Sequence, residues 1–228
     1  MKYESVAPLF GLYSFAQAYD IQALGIHRSR LPIETFRALM KNLRIADCHV
    51  GGVSEHDTEA ARCSYLDALF GSIAAIFQKH IINRPDHKLV SEVASRGQVK
   101  YQYLALNSVI TVFIEVRHQV ESGIGGLNQL AQVMAEGDGE YFKPDISGIK
   151  LINIIACDVF NDSRDMWVPM RGILTDGEKF IFVEYQSDTR TWFKSDIIRG
   201  IDVTSCNDTE FAISVKKRIL RSSLTFKR

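Results

Sequence analysis

Val99-Lys100-Tyr101-Gln102-Tyr103-Leu104-Ala105-Leu106, then Asn107-Ser108, then Val109-Ile110-Thr111-Val112-Phe113-Ile114-Glu115-Val116-Arg117: this stretch decides the fold. β-Branched and aromatic residues dominate both runs and Asn-Ser is a turn pair, so two adjacent strands are expected. Strand side chains alternate, which puts Glu115 and Arg117 on one face and turns Val116 into the opposite layer. An acid and a cation so placed at a strand end form either a salt-bridged edge pair or the start of a polar site.

Upstream, Arg96-Gly97 turns the chain out of Lys88–Ser95, itself strand-like, so a three-strand meander is expected. Before that, Ala61, Tyr65, Leu66, Leu69, Ile73, Ile76 and Phe77 recur at helical spacing, predicting a helix from about Thr58 to His80 that Ser54 or Asp57 caps and Asn83-Arg84-Pro85-Asp86 closes. Leu31, Phe36, Leu39, Met40 and Leu43 predict an earlier helix, with Pro32 in its first turn. Gly51-Gly52-Val53-Ser54 separates a helical amino-terminal extension, residues 1–52, from a main domain, residues 53–228.

Downstream, Ser122-Gly123-Ile124-Gly125-Gly126 reads as a loop feeding a helix from about Leu127 to Ala135, which Gly137-Asp138-Gly139 ends. The loop lacks both the Walker lysine and the dinucleotide spacing. Ile149–Phe160 is apolar enough for a strand buried on both faces, with Asp158 and Asp162 starting a loop after it. Asp176-Gly177 between Met170–Thr175 and Glu178–Tyr185 predicts a tight hairpin.

Lys plus Arg and Asp plus Glu both number 27, for a formal net charge of zero. Bulk charge therefore does not drive nucleic-acid binding, although a local basic groove is compatible with it. Lys216, Lys217, Arg218, Arg221, Lys227 and Arg228 make a cationic carboxy-terminal run, read as a solvated tail. Cysteines 48, 63, 157 and 206 show no paired spacing and are expected as free thiols of a reducing compartment. No apolar run reaches membrane-spanning length and no leader pattern opens the chain. The expectation is an intracellular protein, cytoplasmic or nuclear, with no membrane partner.

Four motifs occur in an ordered series: Thr58-Glu59-Ala60-Ala61-Arg62 on the helix, Gly97-Gln98-Val99-Lys100-Tyr101, Phe113-Ile114-Glu115-Val116-Arg117, and Arg171-Gly172-Ile173-Leu174-Thr175-Asp176-Gly177. Over residues 55–198 this order resembles the PD-(D/E)XK, restriction-endonuclease-like superfamily, in particular its fungal members and the nuclease-type domains of crinkler effectors. The resemblance implies an α/β (α+β) fold with a central mixed sheet flanked by helices. It further implies magnesium-dependent phosphodiester cleavage of DNA or RNA. Glu59 would approach the metal, Lys100 would stand where an aspartate ligand belongs, Glu115 would be the second carboxylate, and Arg117 would take the lysine position. Gln129 and Gln132 would lie beside the site.

Two substitutions set the functional question. Magnesium prefers hard oxygen ligands, and an ammonium about 5 Å from a divalent ion is repelled by roughly 7 kcal/mol at an effective dielectric near 20. Lys100 therefore turns away, replaces the ion, or is offset by another carboxylate, for which Glu92 on the neighbouring strand is the first candidate. Arg117 holds phosphate through its fork but stays charged and cannot accept a proton. The expected metal ligands are thus Glu59, Glu92 and Glu115, with Glu115, Arg117, Lys100 and Gln129 at the catalytic centre. The leading expectation is an atypical or degenerate member, a pseudoenzyme that binds nucleic-acid phosphate through a basic site. An active magnesium-dependent nuclease and a non-catalytic protein-interaction module of an effector are the alternatives. Structural alternatives stand beside these roles: an i,i+3 ion pair between Glu59 and Arg62, and a surface position for His118.

Overall fold

The computed structural model describes residues 2–13, 21–26, 31–77, 81–83, 87–88, 98–99, 101–105, 109–141, 158, 161–162, 165 and 169–199. Lys100, Glu92, the turns at Arg96-Gly97 and Asn107-Ser108, Arg84-Pro85-Asp86, Cys157, Cys206 and the cationic run lie outside the described residues.

In chain order the elements are α1 (Tyr3–Val6) with a 3-10 turn over Ala7–Phe10, β1 (Gln22–Ala23), α2 (Ile33–Val50), α3 (Glu59–Ala75), β2 (Ile81–Asn83), β3 (His87–Lys88), β4 (Gln98–Val99), β5 (Tyr101–Ala105), β6 (Val109–Val116), α4 (Gly123–Tyr141), β7 (Met170–Thr175), β8 (Lys179–Gln186), β9 (Thr191–Lys194) and β10 (Ile198–Arg199). The mixed sheet runs β1-β9-β8-β7-β6-β5-β2, with β10 also on β8. β6 and β7 are parallel, and α4 lies in the connection between them. β5 and β6 are antiparallel, as are β7 and β8.

Alternation along the central strands sorts their side chains into two cores. Phe113, Leu174, Ile181, Val183 and Tyr185 join Tyr3, Phe10, Met134 and Trp192 on the side of α1 and α4. Ile114, Val116, Phe180 and Phe182 join Leu39, Leu43, Leu66 and Leu69 on the side of α2 and α3. A sheet covered on both faces explains why β6 and β8 are nearly continuously apolar, and the one acid on β6 stands out against that background.

Thr58 caps α3, its Oγ1 accepting from the Ala61 amide at 3.2 Å, in place of the expected Ser54 or Asp57. The helix stops at Ala75, earlier than expected, because the chain is needed for β2, which pairs with β5 from Ile81↔Ala105 to Asn83↔Tyr103. β2 is therefore the outer strand of the meander. His87–Lys88, the described start of the strand expected there, instead pairs with β4 in a separate two-stranded sheet.

The glycine-rich segment is helix rather than loop. α4 begins at Gly123, whose φ is +62°, and at Gly126 a Cβ would lie 2.5 Å from the Glu121 carbonyl oxygen. Nor does Gly137 end the helix: a Cβ there would stand 2.5 Å from Met170 Sδ and 2.7 Å from Phe113 Cε1, so glycine lets α4 lie close on the sheet. Within the strand expected over Ile149–Phe160 only Asp158 is described, and its backbone is helical. The Asp176-Gly177 hairpin forms, with Gly177 at φ +88°. Residues 1–52, expected as a helical extension, also supply an edge strand and place Tyr3, Val6, Ala7 and Phe10 in one core and Leu39 and Leu43 in the other.

Candidate functional site

β6 ends at the middle of the sheet, beside the parallel end of β7, and ligand sites of open α/β sheets form beyond such carboxyl ends. Glu115 is the last inward residue of β6 on the α4 side. Arg117 follows the strand, its amide donating to the Thr175 carbonyl at 2.8 Å. The expectation that Glu115 and Arg117 share a face holds: Arg117 Nη2 is 2.9 Å from Glu115 Oε1. Glu59, the first residue of α3, comes from the other layer and brings Oε1 to 3.8 Å from Arg117 Nη1. Glu59 does not pair with Arg62, which points inward instead and donates to the His56 and Asp176 carbonyls.

A carboxylate that the sequence reading passed over completes the group. Glu136 on α4 is 1% exposed, and Gln132 one turn earlier donates to its Oε1 at 2.7 Å. The Glu115 and Glu136 carboxyls lie close enough for each to perturb the other's ionisation. Oε2 of each is buried and receives no hydrogen bond from another side chain or from the backbone. Burial raises the pKa of Glu115 first, the neighbouring Glu136 charge raises it further, and the Arg117 guanidinium opposes both. Burial also raises that of Glu136, against the Gln132 hydrogen bond and Arg117. The pair consequently titrates as a unit that holds a proton well above the usual carboxylate range.

Access is graded across the group: the Glu115 side chain is 6% exposed, Arg117 21% and Glu59 40%. Arg117 Nε and Nη2 make no aligned hydrogen bond within the protein. Three carboxyls to one guanidinium make the described part of the site acidic, whereas a basic site was expected. Among the described residues, no three His, Cys, Asp or Glu side chains are grouped as a metal ion would need.

Gln129 does not reach the carboxyls. Its Nε2 donates to the Gln119 carbonyl at 2.7 Å and its Oε1 accepts from the Glu121 amide at 3.0 Å, so it clamps the loop after Arg117. His118 on that loop is exposed. Glu136 had a legible signal: a lone acid within Val133-Met134-Ala135-Glu136-Gly137, four residues after Gln132. No helix among the described residues is long and apolar enough to cross a membrane. Comparison with protein-family models, with curated proteins and with solved structures gives no match.

Proposed function

We propose that this chain is an atypical PD-(D/E)XK-like phosphodiester hydrolase that engages DNA or RNA at the carboxyl end of β6. The buried Glu115–Glu136 carboxyl pair carries the reading. Two carboxyls taken out of water are costly to fold, and among the described residues the Gln132 amide and the charge of Arg117 are what offset the burial of Glu136. Their unpartnered Oε2 atoms are hard oxygen donors of the kind magnesium or manganese takes. Glu115 and Glu136 would hold the ion, Glu136 taking the part expected of Glu92. Bound there, the ion would orient water and offset charge on the phosphate.

The remaining chemistry belongs to the chain. Arg117, whose side chain is partly exposed, would face a phosphate oxygen with a guanidinium that keeps its charge throughout. Glu59 is the most exposed of the three carboxylates and the one open to an incoming water's proton. The finer fold assignment rests on the same elements: helix α3, antiparallel β5 and β6, helix α4, and β7 parallel to β6 follow in the order expected of a restriction-endonuclease-like core.

A second reading makes the protein a non-catalytic phosphate binder, and the ion pair of Arg117 with Glu115 favours it, because the guanidinium then serves as the resident cation. Calorimetric titration of manganese into wild type, Glu115→Ala and Glu136→Gln separates the two. The hydrolase reading expects binding in wild type that both substitutions abolish, together with cleavage of plasmid or single-stranded RNA. Absence of carboxylate-dependent binding sinks it. Salt-sensitive binding of a labelled oligonucleotide in EDTA, lost in Arg117→Ala, would then support the second reading.

A further inference from the structure

Asp176 opens the β7–β8 turn, and a residue of an ordinary hairpin turn faces water. Here it is 2% exposed. Its two carboxylate oxygens do different things. Oδ1 accepts from the Glu178 and Lys179 amides at 3.0 and 2.7 Å and so closes the turn. Oδ2 leaves the turn and accepts from the Val120 amide at 2.7 Å, in the loop that follows Arg117. Lys179 Nζ, 3.9 Å from that same oxygen, donates to the Val120 carbonyl at 3.3 Å. The Asp176 carbonyl accepts from Arg62, one turn after Glu59 on α3, and Arg62 also holds the His56 carbonyl at 3.1 Å. One buried residue thereby fastens the chain just after Arg117 and the helix turn that carries Glu59, the two groups that meet from opposite layers of the sheet.

We propose that Asp176 is a positioning residue of the acidic centre, setting the approach of Arg117 to Glu59 and Glu115 through its hold on Val120 and Arg62. The assignment rests on these residues being the working centre, as proposed above. Gln129 pins Gln119 and Glu121 on either side of Val120, so the loop is tied at three successive residues, and beyond the Arg117 amide's bond to Thr175 it is Asp176 with Lys179 that links it to the β7–β8 hairpin.

Asp176→Asn isolates this role. An asparagine oxygen can still accept both turn amides, and asparagine suits such turns, but its NH2 group then meets the Val120 N–H donor to donor. Hydrogen–deuterium exchange on the full chain is expected to show residues 117–122 exchanging roughly ten- to a hundred-fold faster, the loss of a charge-assisted hydrogen bond, while the 176–180 turn is unchanged. Asp176→Ala, which removes both functions, should speed both segments. Exchange in 117–122 that stays at the wild-type rate in Asp176→Asn overturns the proposal, as does a uniform rise across turn and loop. In manganese-supported cleavage, Asp176→Asn is expected to lower kcat about tenfold at unchanged KM, because geometry and not binding is disturbed; equal kcat overturns the positioning role. A wild type that neither binds manganese nor cleaves refutes the hydrolase reading instead, and the exchange result still decides whether Asp176 holds the loop.

Discussion

Neutralising one member of the Glu115–Glu136 pair should remove a specific pH dependence from stability. In the unfolded chain a glutamate titrates near 4.5, and in the fold burial and the neighbouring carboxyl push Glu115 up to about 9, Arg117 notwithstanding. Between those values the folded state holds a proton that the unfolded state has released. Unfolding therefore releases a proton, and stability falls as pH rises through the window. One proton corresponds to about 1.4 kcal/mol per pH unit, so wild type is expected to lose up to about 2.7 kcal/mol between pH 5 and pH 7 from this pair. Glu115→Gln keeps the shape and a donor toward Glu136 while removing the titration. Urea unfolding at pH 5, 6 and 7 for both proteins gives the difference, in which the contributions of distant groups cancel. Expected is a difference that grows with pH in favour of the variant. Adding manganese at one hundred times its Kd should restore about 2.7 kcal/mol to wild type at pH 7 and nothing to the variant. Parallel stability profiles for the two proteins would refute the shared-proton account and, with it, the reason for placing an ion between these residues.

Arg117→Met removes the cation beside the buried carboxyl pair and is expected to cost about 1–3 kcal/mol at pH 8 and less at pH 5, because without the guanidinium the pair keeps its protons to still higher pH; urea midpoints at the two values check this. Gly137→Ala should destabilise by about 1–3 kcal/mol despite alanine's better helix propensity, because its methyl meets Met170 and Phe113, and a rise in thermal midpoint would contradict that packing. Thr58→Ala deletes the cap of the helix that carries Glu59 and should cost about 1 kcal/mol, recovered by Thr58→Ser or Thr58→Asp.

The hairpin at Asp176-Gly177, the strand pair around Glu115 and the start of α3 are legible because each depends on neighbours in sequence, through turn chemistry, alternation and helical spacing, although the cap of α3 is Thr58 and not Ser54 or Asp57. β2 is not, since Ile81-Ile82-Asn83 is too short for a periodic signal and becomes a strand only because β5 offers an edge. The glycines before Leu127 and at Gly137 were misread for a related reason. Their small size answers to Glu121, Met170 and Phe113, contacts that local reading cannot see, and not to a need for a loop. At the site, Glu115 with Arg117 followed from strand periodicity, whereas Glu136 required knowing that α4 packs over β6 with that face inward. Gln129 was picked out for the right helix and the wrong turn.

The pairing of β1 with β9 has a temporal side. Gln22 and Ala23 lie against Phe193 and Lys194, and the Leu24 amide also donates to the Lys194 carbonyl. At ribosomal rates of about 5–20 residues per second, roughly ten to thirty seconds separate the synthesis of these partners. Through that interval the first strand has no edge to join, and Phe10 has no Trp192 ring to meet edge-on at 5.5 Å. β1 and Phe10 thus find their partners only once Trp192 and Phe193 have been made, so this edge of the sheet cannot form while the chain is still short of that strand.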